Sequence, residues 1–266
     1  EMINGDWSSD VCSSDLSSGK KILVLFDIDG TLSPSRLKAS PEMHQMLREL
    51  RKVATIGVVG GSDFPKQQDQ LGENVLDIVD YSFSENGLVA YHGHEKIGET
   101  SIRDKYTPEQ MKKFINWCLR YIADLDIPVK TGTFIEMRTG MINLCPVGRN
   151  CTYEQRIQFW ELDKQQGIRK KMVEEMKKVF PEYKLQYSIG GQISIDVFPQ
   201  GWTKQYCLQF VEGKYDEIHF FGDMTMEGGN DYEIFNDPRV HGHTVKNPED
   251  TIKQCRELFI DRKSVV

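Results

Sequence analysis

The run Ile22-Leu23-Val24-Leu25-Phe26 is apolar throughout and stops on Asp27-Ile28-Asp29-Gly30-Thr31. Successive side chains of a strand point to opposite faces, so an uninterrupted apolar run suits a strand covered on both sides, the usual condition of a parallel sheet. Thr55–Val59 is a second such segment and ends at Gly60-Gly61-Ser62, while Glu217-Ile218-His219-Phe220-Phe221 is a third and ends at Gly222-Asp223. Between the first two, Ser40-Pro41 precedes apolar Met43, Met46, Leu47 and Leu50, a helix with serine at its N-cap and proline in its first turn. Strands alternating with helices predict an α/β fold on a parallel sheet, and such sheets take ligands at the carboxyl ends of their strands. Asp27, Asp29, Ser62 and Asp223 are therefore expected at one rim.

The middle of the chain has a different rhythm. Thr107-Pro108-Glu109-Gln110 is a capping box that opens a long helix, with Met111, Phe114, Ile115, Cys118, Ile122 and Leu125 along one stripe. Phe134–Arg138 and Met141–Cys145 read as strands about a Thr139-Gly140 turn, and Leu185–Ile189 pairs across Gly190-Gly191 with Gln192–Phe198. In the last of these Ile193, Ile195 and Val197 alternate with Gln192, Ser194 and Asp196, which predicts an antiparallel sheet open on one face. Trp202–Val211 then reads as a return to helix. The expected organisation is a discontinuous core, 17–96 and 199–260, interrupted by an inserted α+β module, 97–198.

Composition narrows the partners. The formal net charge is −7 without any block of Lys and Arg, a poor match for non-specific nucleic-acid binding. No apolar run approaches the ~20 residues of a membrane span. The six cysteines, Cys12, Cys118, Cys145, Cys151, Cys207 and Cys255, form no C-x-x-C pair; several read as buried small hydrophobes, and the compartment reads as reducing and cytosolic.

Both ends look foreign. Cys12-Ser13-Ser14-Asp15-Leu16 and Asp261-Arg262-Lys263-Ser264-Val265-Val266 can each be encoded by DNA resembling a sequencing-adapter read. The expectation is that 1–16 and 261–266 are non-native, the alternative being ordinary disordered termini.

Two carboxylates at i and i+2 at a strand end point to the same side, and the glycine that follows lets the backbone turn so that free amides face an anion. Such a pair can hold Mg²⁺, a hard cation that prefers oxygen ligands and substrate phosphate. One carboxylate can then attack phosphorus while the other carries a proton. Asp-x-Asp alone is common on surfaces. What narrows the reading is the combination of Asp27-Ile28-Asp29-Gly30-Thr31-Leu32 with Ser62, Lys204 and Gly222-Asp223. On residues alone, Ser62 and Lys204 read more readily as a strand-end cap and a solvated helix start than as phosphoryl-binding groups.

With that set in place the chain resembles the haloacid-dehalogenase superfamily, and more narrowly the eukaryotic-type phosphomannomutases. The resemblance covers about Lys20 to Phe259 and includes Val58-Val59-Gly60-Gly61-Ser62-Asp63, Ser84-Glu85-Asn86-Gly87-Leu88, Arg138-Thr139-Gly140-Met141-Ile142-Asn143 and Gly228-Gly229-Asn230-Asp231. It implies a Rossmann-like parallel-sheet core with an inserted cap, and interconversion of mannose 6-phosphate and mannose 1-phosphate that supplies GDP-mannose synthesis and protein glycosylation. A capped sugar-phosphate phosphatase is the rival reading.

By the same resemblance Asp27 is a nucleophile that becomes an aspartyl-phosphate, and Asp29 is the general acid and base. Asp27, the backbone carbonyl of Asp29, and Asp223 hold Mg²⁺. Ser62 and Lys204 bind the transferring phosphoryl group, and a hexose 1,6-bisphosphate is activator and intermediate. Arg138, Arg149 and Arg156 grip the distal phosphate, a task that suits forked guanidinium donors, although three arginines so close are ordinarily a solvated basic face. Ser194 and Asp196 meet sugar hydroxyls, and Arg36 is a further substrate contact. Hinges are expected near Gly93–Glu99 and Pro199–Gly201, and a homodimer through the caps. Asn230 and Asp231 are expected to support the Asp223 loop rather than hold the metal directly. A second cation site near Phe235 and Asp237 belongs to the family, but Val240 stands where the family has threonine, so only a backbone oxygen is available there. His92-Gly93-His94-Glu95 has the residue types of a metal site but reads as a turn between modules.

Overall fold

The computed structural model describes residues 19–261. Of the ends expected to be foreign, 1–16 and 261–266, all but Asp261 lie outside the described residues, as does Cys12; Asp261 closes the described chain, its amide donating to Arg256 O.

Strand β1 (Ile22–Phe26) occupies the middle of a seven-stranded sheet. To one side lie β10 (Glu217–Gly222) and β11 (Val240–Thr244); to the other lie β2 (Thr55–Val59) and β3 (Tyr81–Ser84), all parallel. Two antiparallel strands, β4 (Val89–His92) and β5 (Glu95–Glu99), finish the edge. Leu23 and Leu25 join one apolar layer, with Tyr81, Phe83 and Phe220; Val24 and Phe26 join the other, with Ile56, Val58 and Phe221. That is the two-sided burial implied by an unbroken apolar run, and each such side chain contributes roughly 1.5–3 kcal/mol. Helix Pro41–Leu50 covers the second layer through Met43, Met46, Leu47 and Leu50, and Ser40 Oγ caps it by accepting from Met43 N at 3.2 Å.

After β5 the chain leaves this sheet and returns to it at β10. It builds meanwhile a four-stranded antiparallel sheet of β6 (Ile135–Met137), β7 (Ile142–Leu144), β8 (Leu185–Gly190) and β9 (Ser194–Pro199), ordered β6-β7-β9-β8. Ile142, Leu144, Ile195 and Val197 pack on helix Pro108–Asp124 through Phe114, Cys118 and Ile122. The stripe is thus spent on its own sheet. Both halves of the capping box form, with Gln110 N donating to Thr107 Oγ1 at 3.2 Å and Thr107 N to Gln110 Oε1 at 3.0 Å. The other face carries Glu136, Asn143, Asp196 and Ser188, which are cross-strand neighbours.

Three details differ from the expectation. β5 belongs to the larger sheet, so the chain leaves that sheet at residue 99, slightly past the boundary at 97. His92-Gly93-His94-Glu95 is the β4–β5 hairpin turn inside the core rather than a link between modules; His92 stacks on Tyr81 and His94 pairs with Asp77. The segment read as helix after Trp202 is a 3₁₀ helix, Lys204–Phe210, constrained at its start and its middle: Lys204 is buried in the site, and Cys207 backs onto Gly87. The five described cysteines are free, and no described helix is long and apolar enough to cross a membrane.

β10 and β11 bring His219, His241 and His243 together beside Glu217. His219 Nδ1 lies 2.9 Å from His243 Nε2, and the His243 ring stacks on Phe221 with centroids 4.4 Å apart. Burial, and then His219 and His241, push the His243 value down from 6.5 to about 4. The unfolded chain binds that proton first, so stability should fall as pH drops from about 6.5 towards 4. Melting temperature against pH checks this; His243→Phe should flatten the acid limb, and an unchanged limb would contradict the assignment.

Candidate active site

β1 delivers Asp27 into the rim with its side chain almost wholly buried, and Thr31 Oγ1 donates to Asp27 Oδ2 at 3.4 Å. The chain then turns at Gly30, where φ is +76° and any Cβ would collide with the Asp223 carboxylate. Only glycine permits that close approach. β10 ends beside it, and the loop beyond Asp223 folds back so that Asp231 Oδ2 accepts from Met224 N at 3.0 Å.

The result is a trio. Oxygens of Asp27, Asp223 and Asp231 all lie within 4.8 Å of one another. Lys204, 1% exposed, reaches them from the 3₁₀ helix and pairs with Asp27 and, at 2.6 Å, with Asp231 Oδ1. Burial and Asp231 raise Asp27 to about 6 against the opposing effect of Lys204; burial and Asp231 also raise Asp223. Burial alone would lower Lys204, but Asp27 and Asp231 more than reverse that and hold the ammonium charged. Three carboxylates against one ammonium leave excess negative charge, and hard oxygen donors this close suit Mg²⁺. The donor set fits the cation expected.

The sequence reading placed Asp27, Asp29 and Asp223 at the metal. The third carboxylate of the trio is Asp231, which was expected to support the loop and does so through Met224 N, while its oxygens also lie close enough to those of Asp27 and Asp223 for the three to be able to share a cation. Its signal was the Gly228-Gly229-Asn230-Asp231 stretch, which returns the chain to the rim. The Asp29 carboxylate points elsewhere, with Oδ1 accepting from Arg36 N at 2.7 Å and from Gln70 Nε2 at 2.8 Å. Both hydrogen bonds recorded for this carboxylate thus fall on Oδ1. Gln70, also in contact with Ser33 Oγ, was missed by sequence reasoning because a buried glutamine on a helix carries no pattern. Ser62 follows the end of β2, where its carbonyl accepts from Glu85 N at 2.9 Å, while the cap of the next helix is Asp63, whose Oδ1 accepts from Lys66 N. Lys204 is not a solvated helix start.

A cleft of about 510 Å³ separates this rim from the second sheet. Gly61, Asn86, Lys204 and Gly228–Asn230 line one wall; Met141, Gln186, Ser188 and Asp196 line the other. The volume suits a small polar metabolite. Asp196 Oδ1 accepts from Asn143 Nδ2 at 2.7 Å, and Asn143 Oδ1 accepts from Arg149 Nη1 at 2.6 Å. Arg138 binds Glu136 Oε2 through Nε and Nη2 at 3.1 and 2.8 Å, and Arg149 approaches the same oxygen at 3.4 Å. Both guanidiniums are thus tied to the sheet's polar face, without themselves lining the cleft. Their shared partner is a half-exposed carboxylate, a weak tie that an incoming phosphate can replace. Arg156 lies half-buried on helix Tyr153–Gln166, and Ser194 contributes its carbonyl to Arg169.

Phe235 and Asp237 lie apart from the trio. Arg239 holds the Asp237 carboxyl through Nε and Nη2 and keeps it well below the usual carboxylate range, and Gln205 Nε2 donates to it at 2.5 Å. What this carboxylate does here is anchor the 3₁₀ helix next to Lys204.

Comparison with known proteins agrees with this geometry. The model of the eukaryotic phosphomannomutase family matches residues 43–261. The chain is 57% identical to phosphomannomutase of Schizosaccharomyces pombe over 243 residues, covering 90% of this chain and 95% of that protein. It is 54% identical to phosphomannomutase of Arabidopsis thaliana, covering 90% of this chain and 97% of the relative. Among solved structures it is similar in fold to an IMP-bound, N-terminally truncated Plasmodium falciparum IMP-nucleotidase, with a TM-score of 0.58, 17% identity, and coverage of 90% of this chain and 69% of that one. Aspergillus fumigatus trehalose-6-phosphate phosphatase also gives a TM-score of 0.58, with 15% identity and coverage of 90% and 92%. These confirm the haloacid-dehalogenase-like α/β fold with its separate antiparallel sheet. The chain belongs to the eukaryotic phosphomannomutase family.

Proposed function

We propose that this chain interconverts mannose 6-phosphate and mannose 1-phosphate through a phosphorylated Asp27 and a hexose 1,6-bisphosphate, the product serving GDP-mannose synthesis. The observation that carries the reading is the buried Asp27–Lys204–Asp231 set, with Asp223, facing a polar sheet across a cleft.

Phospho-Asp27 donates to a hexose monophosphate: the free sugar hydroxyl attacks phosphorus, the bond from Asp27 to phosphorus breaks, and Asp29 takes the hydroxyl proton. The hexose 1,6-bisphosphate turns end for end, Asp27 attacks its other phosphorus, the bond from that phosphorus to the sugar oxygen breaks, and Asp29 gives that oxygen its proton. Splitting the exchange into two transfers lets one carboxylate serve both ends of the sugar. Lys204 and the amides near Gly30 and Gly61 balance the charge on the transferring oxygens, and Ser62 binds the same group. When bound, Mg²⁺ supplies charge neutralisation beside Asp27, with Asp223, Asp231 and the Asp29 carbonyl as its further holders. Arg138, Arg149 and Arg156 take the distal phosphate, Arg36 is a further substrate contact from the core, and Ser194 and Asp196 take hydroxyls. Residues 97–198 act as a lid that keeps water from phospho-Asp27. The reading includes a homodimer joined through these lids, and Leu119, 45% exposed on helix Pro108–Asp124, is one apolar side chain open to such a contact.

Incubation with mannose 1-phosphate, Mg²⁺ and a trace of hexose 1,6-bisphosphate is expected to give mannose 6-phosphate with little inorganic phosphate. Inorganic phosphate as the main product would replace the mutase with a phosphatase.

A further inference from the structure

The turn joining β3 to β4 runs against ordinary backbone preference. Glu85, Asn86 and Gly87 have φ of +49°, +63° and +98°. Glycine takes these values freely, asparagine tolerates them, and glutamate does so at a cost. The turn is held from two sides. Glu85 N donates to Ser62 O at 2.9 Å and Asn86 N to Gly60 O at 2.8 Å, which ties it to the phosphoryl-binding end of β2. A Cβ on Gly87 would lie 2.9 Å from the backbone of Cys207, in the 3₁₀ helix that carries Lys204. From this fixed point the Glu85 side chain crosses to the lid, where Oε2 accepts from Gly140 N at 3.1 Å.

Gly140 lies in the turn after Arg138, and Arg138 N closes that turn on Met141 O at 2.9 Å. Met141 in turn lines the cleft. Glu85 forms no ion pair among the described residues, so its one recorded side-chain partner is this amide. A strained non-glycine residue persists where its surroundings over-determine it, and such positions gather at functional sites.

We propose that Glu85 is a positioning residue for the lid. Its carboxylate fixes the Thr139–Gly140 turn, and with it Arg138, in register with the Ser62 and Lys204 rim. The inference rests on the mutase reading. There phospho-Asp27 has two acceptors, a hexose hydroxyl and water. In both cases the bond from Asp27 oxygen to phosphorus breaks, a bond from acceptor oxygen to phosphorus forms, and Asp29 takes the acceptor's proton. The chemistry is the same for both, so the share going to water is set by how firmly the sugar phosphate is held and how well the lid closes.

The test is the ratio of inorganic phosphate to isomerised hexose phosphate, measured with mannose 1-phosphate, Mg²⁺ and hexose 1,6-bisphosphate. A ratio does not depend on the folded fraction, so lost protein does not imitate the effect. Glu85→Gly suits the positive φ and removes the whole side chain with its acceptor; Glu85→Asp keeps the carboxylate and withdraws the oxygen by one methylene. Both should raise the ratio about tenfold and raise KM more than they lower kcat, the scale of one hydrogen bond to a charged acceptor. Glu85→Gln keeps an acceptor oxygen and should stay near wild type. A wild-type ratio in both Glu85→Gly and Glu85→Asp would overturn the proposal, as would a Glu85→Gln variant as leaky as Glu85→Gly. If wild type itself releases mainly inorganic phosphate, the mutase reading fails and takes the proposal with it; isomerising wild type with an unchanged ratio in the variants sinks the positioning role alone.

Discussion

Asp27→Asn should abolish phosphoenzyme formation while leaving the fold intact. The amide is isosteric with the carboxylate but is no nucleophile towards phosphorus, and no other described carboxylate has its place at the end of β1 against Lys204. Removing the nucleophile of a covalent mechanism lowers turnover on the order of 10⁴-fold or more. The structural cost runs the other way. Burial is the main reason that Asp27 sits near 6, which means the charged form is disfavoured where it lies. A neutral side chain there relieves crowding among the three carboxylates, and Lys204 keeps Asp231 as a partner. The variant should therefore melt at or above the wild-type temperature. Acid quenching after incubation with labelled hexose bisphosphate should trap label on wild type and none on the variant. Label retained on the variant, or full turnover by it, would remove the assignment.

The core of this fold was readable because its signals are local. Ile22–Phe26 is apolar on both faces, Ser40-Pro41 starts a helix and Thr107–Gln110 caps another, and each of these holds in the structure. The polar and apolar faces of the second sheet were equally visible in the alternation of Ser194, Asp196, Ile195 and Val197. What did not show was anything set by contacts between distant segments. Lys204 looks like the start of an exposed helix until burial between two aspartates 177 and 27 residues away makes it the charge balance of the site. The 3₁₀ winding of its segment follows from the same tertiary constraint, and propensity does not encode it. Asp231 belongs to the acidic trio only because Gly222 and the loop to Gly229 fold back, and Gln70 reaches Asp29 from a helix whose pattern is mostly polar. The trio's charge and the arginines' attachment to Glu136 are also properties of assembly, since like charges converge there only because the fold forces them together.

Lys204→Met should separate stability, metal binding and catalysis. Methionine approximates the volume of the lysine stem, so the change is close to a deletion of charge. Among the described residues the ammonium is the one side-chain cation paired with the trio, and it touches its two buried members. Breaking a buried pair by removing one partner costs about 3–5 kcal/mol, because the carboxylates left behind are buried and unpaired. Loss of the group that balances charge on the transferring phosphoryl should lower kcat/KM by about 10²–10³-fold. Mg²⁺ binding should move in the opposite direction. A positive charge beside the carboxylates competes with a second cation for the same field, so the variant should bind the metal more tightly than wild type, and added Mg²⁺ should restore more of its stability. Calorimetric titration of each protein with Mg²⁺, followed by melting curves with and without the metal, reads all of this. Weaker Mg²⁺ binding in the variant would show that Lys204 organises the carboxylates for the metal instead of competing with it, and the electrostatic account of the site would have to be redrawn.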